Sequence, residues 1–181
     1  MEIVVRLHSY MRKNKRKYKV IFCEDAVCWT QGPMKLKDIR GQRRRWQIGL
    51  LDTLISHKNL LLNPRYGAVG LVAVPYNWIF ELFGAVIEVL GYFIIPFSLI
   101  MGELNIFFFV IYFLLATLLG IMLSIGSLIL EQYTKKSAMT AKQYILISVY
   151  AILENFGYRQ LITIFRVEGI IKYRKLRQTW G

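Results

Sequence analysis

Residues 67–101 read GAVGLVAVPYNWIFELFGAVIEVLGYFIIPFSLIM, 35 residues without one lysine or arginine. A helix needs about 20 apolar residues to cross the hydrocarbon core of a bilayer. The stretch exceeds one crossing, and we divide it into a lead-in ending at Pro75 and a span over about 77–101. Along that span Asn77, Glu81, Gly84, Glu88 and Gly91 recur at intervals of 4, 3, 4 and 3 residues, which puts them in one stripe of a helix. Carboxylates at membrane depth face protein or water rather than lipid. Two roles are open for the stripe: packing, with glycines allowing close approach and glutamates bonding to a neighbour, or a polar face along a substrate path. Gly102-Glu103-Leu104-Asn105 is a tight turn, and a second span follows over about 106–130 with its own stripe of Thr117, Gly120, Ser124 and Ser127. Matching small faces joined by a short turn predict a packed hairpin.

Charge outward from this tract is segregated. Of the 24 Lys and Arg, 15 lie in residues 1–66, none in 67–134 and 9 in 135–181, within a net charge of +13 and a mean hydropathy of +0.39. A bilayer imposes such a pattern, and the positive-inside rule puts both basic regions on the cytosolic side of a cell (inner) membrane. Residues 143–166 resemble a third span, but Glu154-Asn155-Phe156-Gly157 and Arg159 interrupt it, and Lys172, Arg174, Lys175 and Arg177 follow. A full crossing would place that basic tail outside. The spacing predicts a short apolar helix over 143–153, a break at 155–157 and an amphipathic helix returning on the cytosolic side, with a true third span as the alternative. The positive charge is accounted for by the membrane face, so no nucleic-acid partner is expected.

The N-terminal third carries the chemistry. Ile3, Leu7 and Tyr10/Met11 are spaced as a helical face over 2–13, ahead of the basic run Lys13-Asn14-Lys15-Arg16-Lys17. The first apolar residues are interleaved with Arg6 and His8, so no signal-peptide core is expected. Tyr18–Cys23 and Ala26–Thr30 are β-prone, joined through Glu24-Asp25, which reads as a turn because adjacent carboxylates on extended chain point apart. Cys23 and Cys28 fit neither a zinc spacing nor a disulfide framework and read as reduced or buried thiols. His8 and His57 have no acidic partner at a ligand spacing, so no metal site is expected in this chain.

From about Lys35 to about His57 an amphipathic interface helix is predicted, with Leu36, Ile39, Trp46, Leu50 and Leu54 on its apolar side. In its middle stands Gln42-Arg43-Arg44-Arg45-Trp46. Gln42, Arg45 and Trp46 fall at i, i+3 and i+4 and share one face. An amide that donates and accepts, a guanidinium fork suited to phosphate oxygens, and an apolar indole plane can together hold a sugar phosphate. The other reading is a basic interfacial helix whose arginines meet lipid headgroups and whose Trp46 is an anchor.

With QRRRW preceded by AVCWTQGP and followed by QIGLLDTL and LLNPRYG, the chain resembles the C-terminal part of a membrane-embedded family 2 glycosyltransferase. The likeness is to the processive polysaccharide synthases, the group that includes cellulose, hyaluronan, chitin and poly-N-acetylglucosamine synthases. It implies Trp46 as the platform for the terminal acceptor sugar and Gln42 and Arg45 as polar contacts to acceptor and donor pyrophosphate. Arg43 and Arg44 are further candidates on other faces of the helix. It also implies a nucleotide-sugar donor, a growing glycan as acceptor, and a divalent metal (Mg or Mn) and general base.

Two departures accompany the likeness. No Asp-x-Asp metal motif and no Gly-rich phosphate loop occurs, so the metal, the base and the rest of a GT-A-type catalytic domain are expected in a missing N-terminal part, in cis or in trans, and this chain alone is expected to be inactive. Gln31-Gly32-Pro33 stands where relatives often carry Glu before the Pro. The expected architecture is an α-helical membrane protein with a small cytosolic α+β remnant. Residues 1–34 would be that remnant, 35–66 the interface helix and its connecting loop, 67–130 the transmembrane hairpin, and 131–181 the cytosolic loop, re-entrant or third membrane helix and basic tail. From another class, a small non-enzymatic basic membrane protein that binds anionic lipid or a partner subunit is the competing expectation.

Overall fold

The computed structural model describes residues 2–21, 23, 26, 28, 30–135 and 140–177. Helices carry the architecture: α1 (Glu2–Lys13), α2 (Leu36–Ser56), α3 (Val69–Ile100), α4 (Ile106–Lys135), α5 (Ala141–Leu153), α6 (Tyr158–Ile171) and the short α7 (Tyr173–Leu176). No strand occurs among the described residues. The β-prone segments were expected to form the β part of a remnant domain. Apart from the half-buried Tyr18, their described members, including Val20 and Ile21, are exposed, and no neighbouring strand lies among the described residues; β-propensity stabilises a strand only where partners satisfy its backbone. Glu24 and Asp25, the expected turn, lie outside the described residues. Cys23 and Cys28 are free, exposed thiols rather than buried ones.

The chain forms two compact units, Met1–Val89 with Ile164–Gly181 and Leu90–Thr163. In the first, Leu50, Leu51 and Leu54 of α2 pack with Leu60, Tyr66, Val74 and Leu82, and Val5, Trp78, Ile170 and Tyr173 close the cluster. Each fully buried leucine contributes about 1.5–3 kcal/mol. The connection from α2 to α3 is wound tightly through 3₁₀ turns at Lys58–Leu60 and Pro64–Tyr66. Gly70 lets the start of α3 sit on this loop, since a Cβ there would stand 2.6 Å from the Asn63 carbonyl oxygen and 2.7 Å from that of Leu60.

Two expectations shift within this unit. The face of α1 turned to the core holds Val5, while Ile3 is 80% exposed and Leu7 and Tyr10 are exposed too. Glu2 and Val5 share a face with the α2 contact, because Glu2 reaches His57 across it. Secondly, Pro75 does not separate a lead-in from a span. The backbone stays helical from Val69 to Ile100, with π-helical winding over Val69–Ala73 and Asn77–Phe83 on either side of the proline. Proline supplies no N–H to an i→i−4 ladder and crowds it. The wider i→i+5 winding carries the helix past it.

In the second unit, the small-residue stripe of α4 meets α5 and the turn beyond. A Cβ at Gly120 would stand 2.7 Å from Asn155 Oδ1, and Ser124 Oγ donates to Glu154 Oε1 at 2.8 Å. The expectation paired that stripe with the preceding span, and its hydroxyl and glycine are instead taken by the break after α5. Thr140 opens α5 with a capping box to Gln143, and Gly157, at φ +90°, ends the turn in a conformation that favours glycine. The predicted interruption near 155–157 is therefore present. Two helical stretches, Val69–Ile100 and Ile106–Leu130, are long and apolar enough to cross a membrane. The 13 residues of α5 rise only about 20 Å, short of the ~30 Å core.

Candidate functional site

Helix α2 spans the range the sequence predicts, but its two halves differ. Gln47, Ile48, Leu50, Leu51, Thr53 and Leu54 are all buried, because α1, the first turns of α3 and the C-terminal arm surround this half. Trp46 was expected on the apolar side with Leu50 and Leu54. It is instead 58% exposed, on the polar half, and the neighbouring Gln47 is 3% exposed. The boundary between the exposed and the enclosed half falls between these two residues.

On the exposed half, Gln42 is half-buried, Arg45 and Trp46 are exposed, and neither Gln42 nor Arg45 has a hydrogen bond or ion pair among the described residues. Arg43 lays its guanidinium over the Trp46 ring, 4.8 Å from the centroid. One face of the indole is thus covered by a cation and the other is open. Around the helix from Trp46, Lys37, Asp38, Arg40, Gly41, Arg44 and Arg45 line an open cradle of about 560 Å³. Arg45 belongs both to this cradle and, by helical spacing, to the face of Gln42 and Trp46. A group bound in the cradle and a ring laid on the indole would meet at this arginine.

Helix α6 holds the helix from its other side. Gly169 marks the closest approach, where a Cβ would stand 3.0 Å from the Arg44 carbonyl oxygen and 3.3 Å from Gln47 Cβ. Arg166 and Glu168 lie just ahead of that glycine. Arg166 donates to Gln47 Oε1 at 3.1 Å, to the Glu81 carbonyl oxygen at 2.6 Å and to Glu81 Oε2 at 2.9 Å. Gln47 donates to the same Glu81 carbonyl at 3.3 Å, a carbonyl in the π-wound part of α3. Of the two roles left open for the polar stripe of α3, Glu81 fills the packing one.

Glu168 receives a bidentate fork from Arg40, Nε to Oε2 at 2.7 Å and Nη2 to Oε1 at 2.8 Å. Arg44 Nη1 adds a bond at 3.3 Å and Lys172 Nζ one at 2.6 Å. The Arg40 hydrogen bonds, opposed by burial and helped by Lys172, hold the Glu168 carboxyl at about 2, so it stays ionised at any ordinary pH. Further along, Tyr173 OH donates to Asp52 Oδ1 at 2.7 Å and Arg177 Nε to the same oxygen at 2.8 Å. Burial, then the Asp52 bond, raises the Tyr173 pKa and keeps its phenol a donor.

Of the sequence candidates, the structure therefore places Gln42, Arg45 and Trp46 together, turns Arg43 onto Trp46, and ties Arg44 to Glu168. Sequence reasoning missed Gln47, Glu81, Arg166, Glu168 and Gly169 as the support of this surface. The one signal available was Arg166-x-Glu168-Gly169 inside an otherwise apolar segment. Among the described residues no group of three or more His, Cys, Asp and Glu side chains could hold a metal ion.

No curated protein and no solved structure matched the chain. The family described as Glycosyl transferase family group 2 matches residues 4–126, from the first turn of α1 through α2 and α3 into α4. That is more than half of the sequence, and the chain belongs to glycosyl transferase family group 2.

Proposed function

We propose that this chain is the acceptor-binding and membrane portion of a glycosyltransferase that passes a sugar from a nucleotide-sugar donor to a growing polysaccharide. The observation that carries the reading is the exposed face of α2, where Gln42 and Arg45 are unpartnered among the described residues beside an indole with one open side, in a chain of this family. The terminal sugar of the acceptor lies on the open face of Trp46, and Gln42 fixes one of its hydroxyls. Arg45 meets the charge that builds on the leaving nucleoside diphosphate. A donor aimed at developing charge contributes about 10²–10³ in rate. The helices Val69–Ile100 and Ile106–Leu130 anchor this surface in the membrane, with the basic N-terminal part cytosolic and the product leaving along the spans.

The metal ion, the general base and the nucleotide-binding surface belong to a separate catalytic part, joined to these 181 residues in cis or in trans. A general base takes the proton of the attacking acceptor hydroxyl, and on this reading the separate catalytic part supplies it. The chain by itself is therefore inactive. The experiment is incorporation of radiolabelled sugar by membranes that carry the chain together with its catalytic part, compared with nanodiscs holding the 181-residue chain alone. Incorporation should require both parts and should fall about 10²-fold or more in Arg45→Ala. Sugar transfer by the chain alone would overturn the incomplete-site reading.

The second reading, a non-enzymatic protein that holds anionic lipid, draws on the net charge of +13 and the exposed run Lys13, Lys15, Arg16 and Lys17 beside α1. It explains the charge and takes the exposed Trp46 as an interfacial anchor, but gives no role to the Gln42 on the same helical face, unpartnered among the described residues.

A further inference from the structure

We propose that Glu168 is a positioning residue for the α2 surface: by holding Arg40 and Arg44 against α6 it leaves Arg45 as the arginine offered to an anionic sugar phosphate. The proposal rests on the reading of α2 as the ligand-bearing helix. Its support is geometric. The cradle, around α2 from Trp46, is lined by three arginines and Lys37 against a single acid, Asp38. Left to themselves, Arg40, Arg44 and Arg45 would each be able to swing onto a bound anion, and mutual repulsion would spread their positions. The Glu168 side chain, only 14% exposed, takes two of the three. Arg40 is locked in a two-point fork and Arg44 is drawn to the same oxygen that Lys172, just past the end of α6, approaches.

Arg45 is the cradle arginine with no acid partner among the described residues. It is also the one whose helical position adjoins Gln42 and Trp46. Gly169 next to Glu168 lets α6 approach closely enough for a carboxylate to reach both arginines. A planar fork is pre-organised, so fixing it costs less rotamer entropy per bond than fixing a lysine. This explains why arginines, rather than lysines, occupy 40 and 44. The matched family region ends at residue 126, so this function falls to a part of the chain that the family match does not reach.

The test reads the charge at the cradle without needing catalysis. With Cys23 and Cys28 changed to Ser, a single thiol is introduced by Gly41→Cys, where a Cβ has room 3.6 Å from Arg45 Nη1. Its reaction rates with an anionic, a cationic and a neutral methanethiosulfonate reagent are measured on the full chain in nanodiscs. In Glu168→Gln the anionic-to-cationic rate ratio should rise about threefold to tenfold while the neutral rate stays within about twofold, since Arg40 and Arg44 are released into the cradle. Glu168→Asp, which keeps the charge, should return the ratio to near the parent value. An unchanged ratio in Glu168→Gln overturns the proposal. So does a parallel rise with all three reagents, which would mean that α6 has merely come away from α2. Sugar incorporation in Arg45→Ala is judged separately, so a failed clasp and a failed ligand face give different results.

Discussion

The two halves of α2 share one unbroken backbone and one amphipathic sequence, yet they live in opposite surroundings. Residues from Gln47 to Leu54 are largely enclosed, whereas Trp46 and Arg45, one residue and two residues earlier, face outward. The difference is made by what packs alongside, not by a change in helical character. Where α1, the start of α3 and the C-terminal arm converge, even a glutamine is enclosed and bonded to Glu81 and Arg166. Where they end, a tryptophan is left in the open with only Arg43 over it. The exposed half, which we propose as the ligand surface, is thereby carried on an element that is held rigidly at its other end.

The comparison can be broken at the buried half first. Leu54→Ala removes a side chain of the core cluster that includes Leu50, Leu60 and Val74, and should cost about 2–5 kcal/mol, read as a lowered midpoint in thermal unfolding of the detergent-solubilised chain. The equivalent change at Leu36, exposed on the other half, should leave the midpoint within about 0.5 kcal/mol. Equal losses at the two sites would contradict the division.

Acid gives the next largest effect. The folded-state carboxyl of Glu168 is held at about 2, from an ordinary value of 4.5, so the stabilisation it supplies is complete above about pH 4.5 and is lost as pH falls toward 2. The shift corresponds to on the order of 3 kcal/mol. Unfolding midpoints followed from about pH 5 to about pH 2.5 should fall more steeply in the parent chain than in Glu168→Gln. Parallel curves would show that the clasp does not hold in solution.

Gly169→Ala then probes the contact itself. A methyl 3.0 Å from the Arg44 carbonyl oxygen must push α6 outward, at about 1–3 kcal/mol, and amide hydrogen exchange should quicken at Arg44–Gln47 ahead of the rest of α2. The smallest effect is expected at Arg43→Ala, which removes the cation from the indole for about 0.5–1 kcal/mol and should shift the Trp46 emission while leaving the unfolding midpoint nearly unchanged.

Much of the helical plan was legible because it depends on local pattern. The limits of α1 and α2 and the break before Gly157 follow from apolar spacing, the basic run after residue 12 and an interrupted apolar segment. Other features depend on partners far along the chain. The apolar spacing of Ile3, Leu7 and Tyr10 marks a face of α1, but packing turned Val5 inward instead. Passage of α3 through Pro75 required π winding, which no residue pattern announces. The QRRRW run was visible as chemistry, and the face shared by Gln42, Arg45 and Trp46 followed from helical spacing. Its supports were not visible, since Glu168 lies 128 residues from Arg40 and Arg166 lies 119 from Gln47. Periodicity states which side of a helix is sticky and is silent about what arrives there.

The measurement that bears most directly on the central claim is a paired assay of Trp46→Ala and Trp46→Phe in membranes carrying the chain together with its proposed catalytic part, scoring sugar incorporation and binding to anionic vesicles in the same preparation. The account predicts a loss of about 10²-fold in incorporation for Ala, the size expected of a stacked aromatic anchor worth about 2–3 kcal/mol, with substantial recovery in Phe and little change in vesicle binding for either. Incorporation that survives Trp46→Ala while vesicle binding collapses would contradict it and make the exposed face of α2 a lipid anchor.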